Sequence, residues 1–380
     1  MLSARSSETD VVRFLRRLSA VVNQGSATSP YKPLLLLALF DVVTVLPAGN
    51  NHVSFELLGD RALRILWLQV RPFAGRDLGA SGATGDLGAV RLVEDVQRVA
   101  PSLARLLGRA EHRSVRSGLA RDLGWLLAQW PVPRLQTVGG QDTEFLYALH
   151  PEWPTRTRGP LSNKAVPRHM LNCSHGRPGL DLLPGVPELL FELAGLVRPL
   201  VELRYASLLG RAQEQAAQEA DFGLLSHLFP GNARGLDRTQ ALLRLQGAAP
   251  LTCFWCGRAI AGAPHVDHVL PWSVYRHDSV HNLVLSDARC NRVKSDLFVS
   301  PALLRPFIDR LRAEASQAGA GELAEGVLSD LQETWTQLQV ALERLPQQIL
   351  GLQIEEGKPV TGLHRREEYS ELLQMLVTKP

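Results

Sequence analysis

Two adjacent residues, Asp267 and His268, set a hard oxygen ligand beside an imidazole. Hydrolysis of a phosphodiester calls for that pairing. A base must activate water, a cation must stabilise the charge that builds on phosphorus, and a third group must hold the base in place. Asn282 follows His268 by fourteen residues, and Asn291 lies nine further on. The apolar runs around the first two points, Pro264–Leu270 and His281–Leu285, read as strands, and Asn291 is expected to open a short helix, NRVKSDLF. Successive side chains of a strand point to opposite faces. A regular strand would therefore part Asp267 from His268, so a bend is required here, and Pro271 ends the run.

Cysteines flank the same stretch. Cys253 and Cys256 form a C-x-x-C pair, and Asp287 with Cys290 forms D-x-x-C. Four cysteines are too few for a disulfide scaffold in a chain of 380 residues. A C-x-x-C pair in such a chain points to metal or redox chemistry. Cys173 lies far away in a loop and is read as a bystander.

The runs VDHVLPWS, DSVHNLVL and CNRVKSD resemble the HNH family of ββα-metal endonucleases. They are similar in particular to the HNH domains of bacterial restriction-type proteins and of type II CRISPR effectors. The resemblance implies roles residue by residue. His268 would be the general base, Asp267 and Asn291 would bind a catalytic Mg2+ (or Mn2+), Asn282 would orient His268, and Lys294 would meet a phosphate. It also implies a structural Zn2+ on Cys253, Cys256, Asp287 and Cys290. With Asp287 in place of a fourth thiolate, such a site would be weaker than one built from cysteines alone. The alternative is three cysteines packed as small buried residues without metal. His265 shares the face of Asp267 but is given no role, and Trp255 and Trp272 are expected to pack the module rather than stack on bases.

The elements that must hold this site are mostly helical. Helical spacing of apolar residues covers 9–24, and Pro33 opens a buried helix over 33–47 with Asp41 in its middle. A short strand, HVSF, and a helix over Leu57–Val70 follow, then a Gly-rich loop at 73–90, with two or three helices filling 91–130. A hairpin is expected over 135–150, turning at Gly139-Gly140, and one or two long helices over Pro187–Gln218. After the module, 301–345 reads as amphipathic helix broken at 319–321, and the last 35 residues give no clear pattern. The expected fold class is α+β. A largely helical N-terminal region (1–150) and a basic loop with helical connector (151–245) lead to the ββα-metal module (246–300) and a helical C-terminal extension (301–380). The N-terminal run SPYKPLLLLALFDVV resembles bacterial HNH restriction-type proteins too, less specifically.

Charged residues make up 21% of the chain and nearly cancel, at net +3. That balance is compatible with a nucleic-acid partner without requiring one. Arg156, Arg158, Lys164, Arg168 and Arg177 lie in a stretch free of Asp and Glu, where they would contact a phosphate backbone without reading bases. The longest apolar run is too short to span a bilayer, and no signal peptide precedes it, so a cytoplasmic protein with no membrane partner is expected. The expected function is a metal-dependent DNA endonuclease in restriction or anti-phage defence. The alternatives are an RNA-directed HNH nuclease or toxin, and a non-catalytic zinc-containing nucleic-acid-binding protein.

Overall fold

The computed structural model describes residues 8–23, 30–73, 88–100, 103, 106, 110–138, 141–149, 178–211, 219–229, 251–276, 279–318 and 324–377. The basic stretch with Arg156, Arg158, Lys164, Arg168 and Arg177, and Cys173 within it, lies outside these residues, as do the expected turn at 139–140 and nearly all of the Gly-rich loop. The chain divides into two compact units, Met1–Leu107 with Glu111–Asn232, and Gly108–Ala110 with Ala233–Pro380. Among the described residues, no helix is long and apolar enough to cross a membrane.

The first unit is built on α1 (Glu8–Val22), α2 (Tyr31–Val43), β1 (His52–Ser54), α3 (Phe55–Gln69), α4 (Gly88–Gln97), α5 (Arg113–Gln129) and α6 (Val132–Leu135). Short strands β2 (Thr137–Val138), β3 (Gln141–Asp142) and β4 (Gly179–Asp181) precede α7 (Val186–Arg211) and α8 (Glu219–Leu228). Helix α2 is apolar all round, and every residue from Pro33 to Phe40 is buried. Its one acid, Asp41, is matched across the core by Arg198 of α7, which also binds Glu202 at 2.9 Å. A charge inside such a helix is tolerable because it is paired. Helices α3 and α5 meet at two glycines: a Cβ on Gly59 would lie 1.8 Å from the Ala120 carbonyl oxygen, and one on Gly124 would lie 1.9 Å from that of Phe55. The hairpin expected over 135–150 is only a two-residue ladder, β2 with β3. Beyond it the Gln136 side chain replaces strand pairing, its Oε1 accepting from the N–H groups of Phe145, Leu146 and Tyr147.

The second unit holds β5 (His265–His268), β6 (Leu283–Ser286), α9 (Ala288–Lys294), β7 (Phe298–Val299), α10 (Pro301–Ala318), α11 (Ala324–Glu343), β8 (Gln348–Glu355), β9 (Lys358–Arg365) and α12 (Ser370–Val377). Strands β5 and β6 pair antiparallel, and α9 completes the ββα unit. Strand β7 pairs parallel with β8, which forms a full-length antiparallel hairpin with β9. The helical C-terminal extension expected from sequence is thus half wrong. Its helices stand at α10 and α11, but a three-stranded sheet follows α9 and packs against it. Tyr369 ties the end of the chain to this sheet, its hydroxyl donating to the Val299 carbonyl at 2.8 Å.

Candidate active site and metal centre

Strand β5 runs in regular register, His265 opposite Ser286 and His268 opposite Leu283. The bend expected between Asp267 and His268 is absent. The chain turns only after Leu270, where Val274 and Tyr275 donate back to the Pro271 carbonyl. Asp267 therefore points to the side of Trp255 and Lys294, while His268 stands beside the Trp272 ring, 5.3 Å between centroids.

Two strand residues and two helix residues share the inner face. His265 and Asp267 are two apart on β5 and so point the same way. Asn291 and Lys294 are three apart on α9 and share one face of the helix. The Asn291 amide lies 3.5 Å from His265 Nδ1, and Lys294 Nζ lies 3.5 Å from Asp267 Oδ1. Asn291 sits in the middle of α9 rather than at its start, because Asp287, not Asn291, caps the helix. His265 has no role in the reading from sequence, although its two-residue offset from Asp267 is a signal available there.

Asp267 is buried, and its Oδ2 accepts from Trp255 Nε1 at 2.8 Å. Burial raises its carboxyl above the ordinary value, against the pull of Lys294 and the Trp255 N–H. Lys294 is 0% exposed. Burial lowers its ammonium in turn, against the pull of Asp267 and Asp296. The Lys294 side chain, expected at a phosphate, lies inside the module beside Asp267 and 5.8 Å from the Trp255 ring centroid.

Asn282 does not lie in a strand. It ends a single turn of 3-10 helix, Val280–Asn282, just before β6. Fully buried, it binds both backbone groups of Leu270. Its backbone carbonyl accepts from Val269 N–H at 2.9 Å. His281 points elsewhere, its Nδ1 2.6 Å from Glu314 Oε2.

The second cluster lies at the other end of β6. Sγ of Cys253, Cys256 and Cys290 and a carboxylate oxygen of Asp287 all fall within 4.8 Å of one another. The first pair sits in a tight turn: Gly257 N–H donates to the Cys253 carbonyl, and Gly257 has φ +69°, a conformation that glycine adopts without strain. Phe254 N–H donates to the Leu285 carbonyl, which docks this turn on β6. Asp287 serves both sides. Its Oδ1 accepts from the Arg289 and Cys290 N–H groups, capping α9, while its Oδ2 accepts from Cys256 Sγ at 3.2 Å. Burial would raise the Asp287 carboxyl, but hydrogen bonds from the Cys290 N–H and the three thiols outweigh it and hold the group well below the usual range. Burial pushes the Cys253 thiol up to about 11 and the Cys290 thiol higher still. A cation bound among them would favour their thiolate forms. A tetrahedral metal with sulfur at about 2.3 Å needs ligands roughly 3.8 Å apart, which this donor set approaches. The cluster fits a metal ion.

Residues 253–299 match the model of the HNH endonuclease family. The ββα unit with its paired strands and capped helix falls inside that match, and the chain accordingly carries an HNH nuclease domain. Comparison with curated proteins gives no match, and comparison with solved structures gives none.

Proposed function

We propose that this protein is a metal-dependent HNH endonuclease that hydrolyses phosphodiester bonds in DNA, in restriction or anti-phage defence. The observation that carries the proposal is the meeting of β5 and α9, which gathers Asp267, His265 and Asn291 on one face with His268 at the strand's end. In this reading Asp267 and Asn291 hold Mg2+ or Mn2+, and His265 is a further candidate ligand. When bound, the divalent cation supplies stabilisation for the negative charge that develops on the phosphoryl oxygens.

His268 takes the proton from the attacking water, and Trp272 beside it limits the positions its ring can adopt. Asn282 positions His268 through the backbone of residues 269–270. Trp255 and Lys294 hold the Asp267 carboxylate in one orientation. The cluster of Cys253, Cys256, Asp287 and Cys290 would hold a structural Zn2+. Such an ion would tie the Cys253 turn to the start of α9 and so fix the helix that presents Asn291.

The test is incubation of the full chain with supercoiled plasmid and with structured RNA, each with Mg2+, with Mn2+ and with chelator. Metal-dependent conversion of plasmid to nicked circles is expected. Cleavage confined to RNA would transfer the proposal to RNA, and no cleavage of either would favour a binding protein.

A further inference from the structure

Helix α10 lies beyond the segment that matches the HNH family, yet one of its residues grips the centre of the site. Arg310 donates through Nη1 to the Leu283 carbonyl at 3.0 Å and through Nη2 to the His281 carbonyl at 2.7 Å. These carbonyls flank Asn282. The carbonyl between them, that of Asn282 itself, faces the opposite way and accepts from Val269 N–H. The chain passes here from a 3-10 turn, Val280–Asn282, into β6, and on the edge away from β5 the carbonyls of His281 and Leu283 face Arg310 where a strand would otherwise have to pair. The planar guanidinium takes that place with two of its five donors.

Its own setting is fixed. Arg310 packs over the rings of Phe254 and Phe307, 5.7 and 5.0 Å from their centroids. Its Nε lies 3.4 Å from Glu314 Oε1, and Glu314 Oε2 holds His281 Nδ1. Residues 281–283 are thus clamped from both edges, by Arg310 on one side and by Val269 on the other. From there the Asn282 side chain reaches Leu270, two residues past His268.

We infer that Arg310 is a positioning residue for His268, acting through the turn 281–283 and Asn282. The inference rests on the nuclease reading only for its effect on rate; the geometric part stands without it. Releasing the two carbonyls lets the turn drift, and a displacement of an ångström at a reacting group costs about 10²-fold in rate. Arg310→Met keeps the volume over the two phenylalanines and removes both donors. Arg310→Lys keeps the charge but reaches one carbonyl at most.

The experiment uses the full chain in single-turnover plasmid nicking at saturating Mg2+, alone and combined with His268→Ala. It also uses histidine-selective 1H–13C NMR, with the His268 signal assigned by its loss in His268→Ala. Arg310→Met is expected to slow nicking by about 10²-fold with unchanged plasmid affinity, and Arg310→Lys to fall between. The effect should vanish in the His268→Ala background, where no base remains to be positioned. The His268 signal should move or broaden in Arg310→Met. A wild-type rate, or an equal further loss in the His268→Ala background, overturns the inference while leaving the nuclease proposal intact. If the wild-type chain cuts nothing, the nuclease proposal fails, and the NMR signal alone decides: an unmoved His268 signal in Arg310→Met and Arg310→Lys overturns the inference, a displaced one supports it.

Discussion

Asn282 holds Leu270 by both of its backbone groups, accepting from its N–H at 2.8 Å and donating to its carbonyl at 3.3 Å. A carboxamide is the side chain that matches a peptide unit in this way, one donor and one acceptor. Asn282→Ala should leave two buried backbone groups without these partners, each costing about 1–3 kcal/mol. Asn282→Asp should retain the bond from the Leu270 N–H and lose the one to its carbonyl. Both variants are expected to melt earlier and to nick more slowly. A wild-type melting curve for Asn282→Ala would show that the pair does not hold the loop.

Removal of the base is the most direct test of the chemistry. His268→Ala should lower metal-dependent nicking by about 10²–10⁴-fold, the usual contribution of a general base, with little change in thermal stability because the ring is only partly buried. Equal rates for variant and wild type in a plasmid assay would remove His268 from its proposed role.

Asp267→Ala and Asn291→Ala each take one oxygen from a hard cation. Both should shift the Mg2+ titration of nicking to higher concentration. His265→Ala, measured alongside, reports whether the imidazole next to Asn291 belongs to the same set. Metal titrations superimposable on wild type in all three would sink the assignment of this face.

Lys294→Met separates a buried partner from a phosphate contact. Asp267 has its carboxyl raised by burial, and Lys294 works against that rise. Without the ammonium the carboxyl should move further up, so the ionised form that a cation needs is reached only at higher pH. The metal requirement should therefore worsen most at acidic pH and recover as pH rises, with plasmid affinity unchanged. A loss of plasmid affinity with an unaltered metal titration would restore the phosphate role.

Asp287 joins two jobs that substitution can split. Asn caps helices as well as Asp does, whereas Ala costs about 1 kcal/mol at such a position. Asp287→Asn should keep the cap on α9 and lose zinc, Asp287→Ala should lose both, and Asp287→Cys should retain zinc while giving up the cap. Elemental analysis and melting curves check all three. The pH dependence follows from the depressed carboxyl: its stabilisation is present above the ordinary carboxylate pKa and is lost as pH falls below it. Asp287→Asn should accordingly be less sensitive to acid than wild type. Protein purified without chelator and free of zinc would overturn the metal assignment.

The residue types of the site are readable in the sequence because Asp267, His268, Asn282, Asn291 and three of the cysteines all lie in one short stretch, from Cys253 to Asn291. Their orientations are not. Asp267 and His268 part at a regular strand, and nothing local in HVDH announces that Trp255 will take the carboxylate. Lys294 reads as a phosphate contact, and its burial is not legible because that depends on what covers it. Helix α2 is legible from Pro33 and its apolar run, but the partner of Asp41 lies 157 residues away. The C-terminal hairpin is hidden because QILGLQIE and KPVTGLHR mix strand residues with glycine, and exposed Leu350 and Leu363 blur the alternation of faces.

Strand β7 ends at Val299, and its partner β8 begins at Gln348. The order of synthesis therefore separates composition from competence. A growing chain carries every side chain of the proposed metal-and-base site by the time Ser300 is added, while the sheet that backs α9 waits for about fifty more residues and cannot close earlier. Arg310 arrives inside that interval.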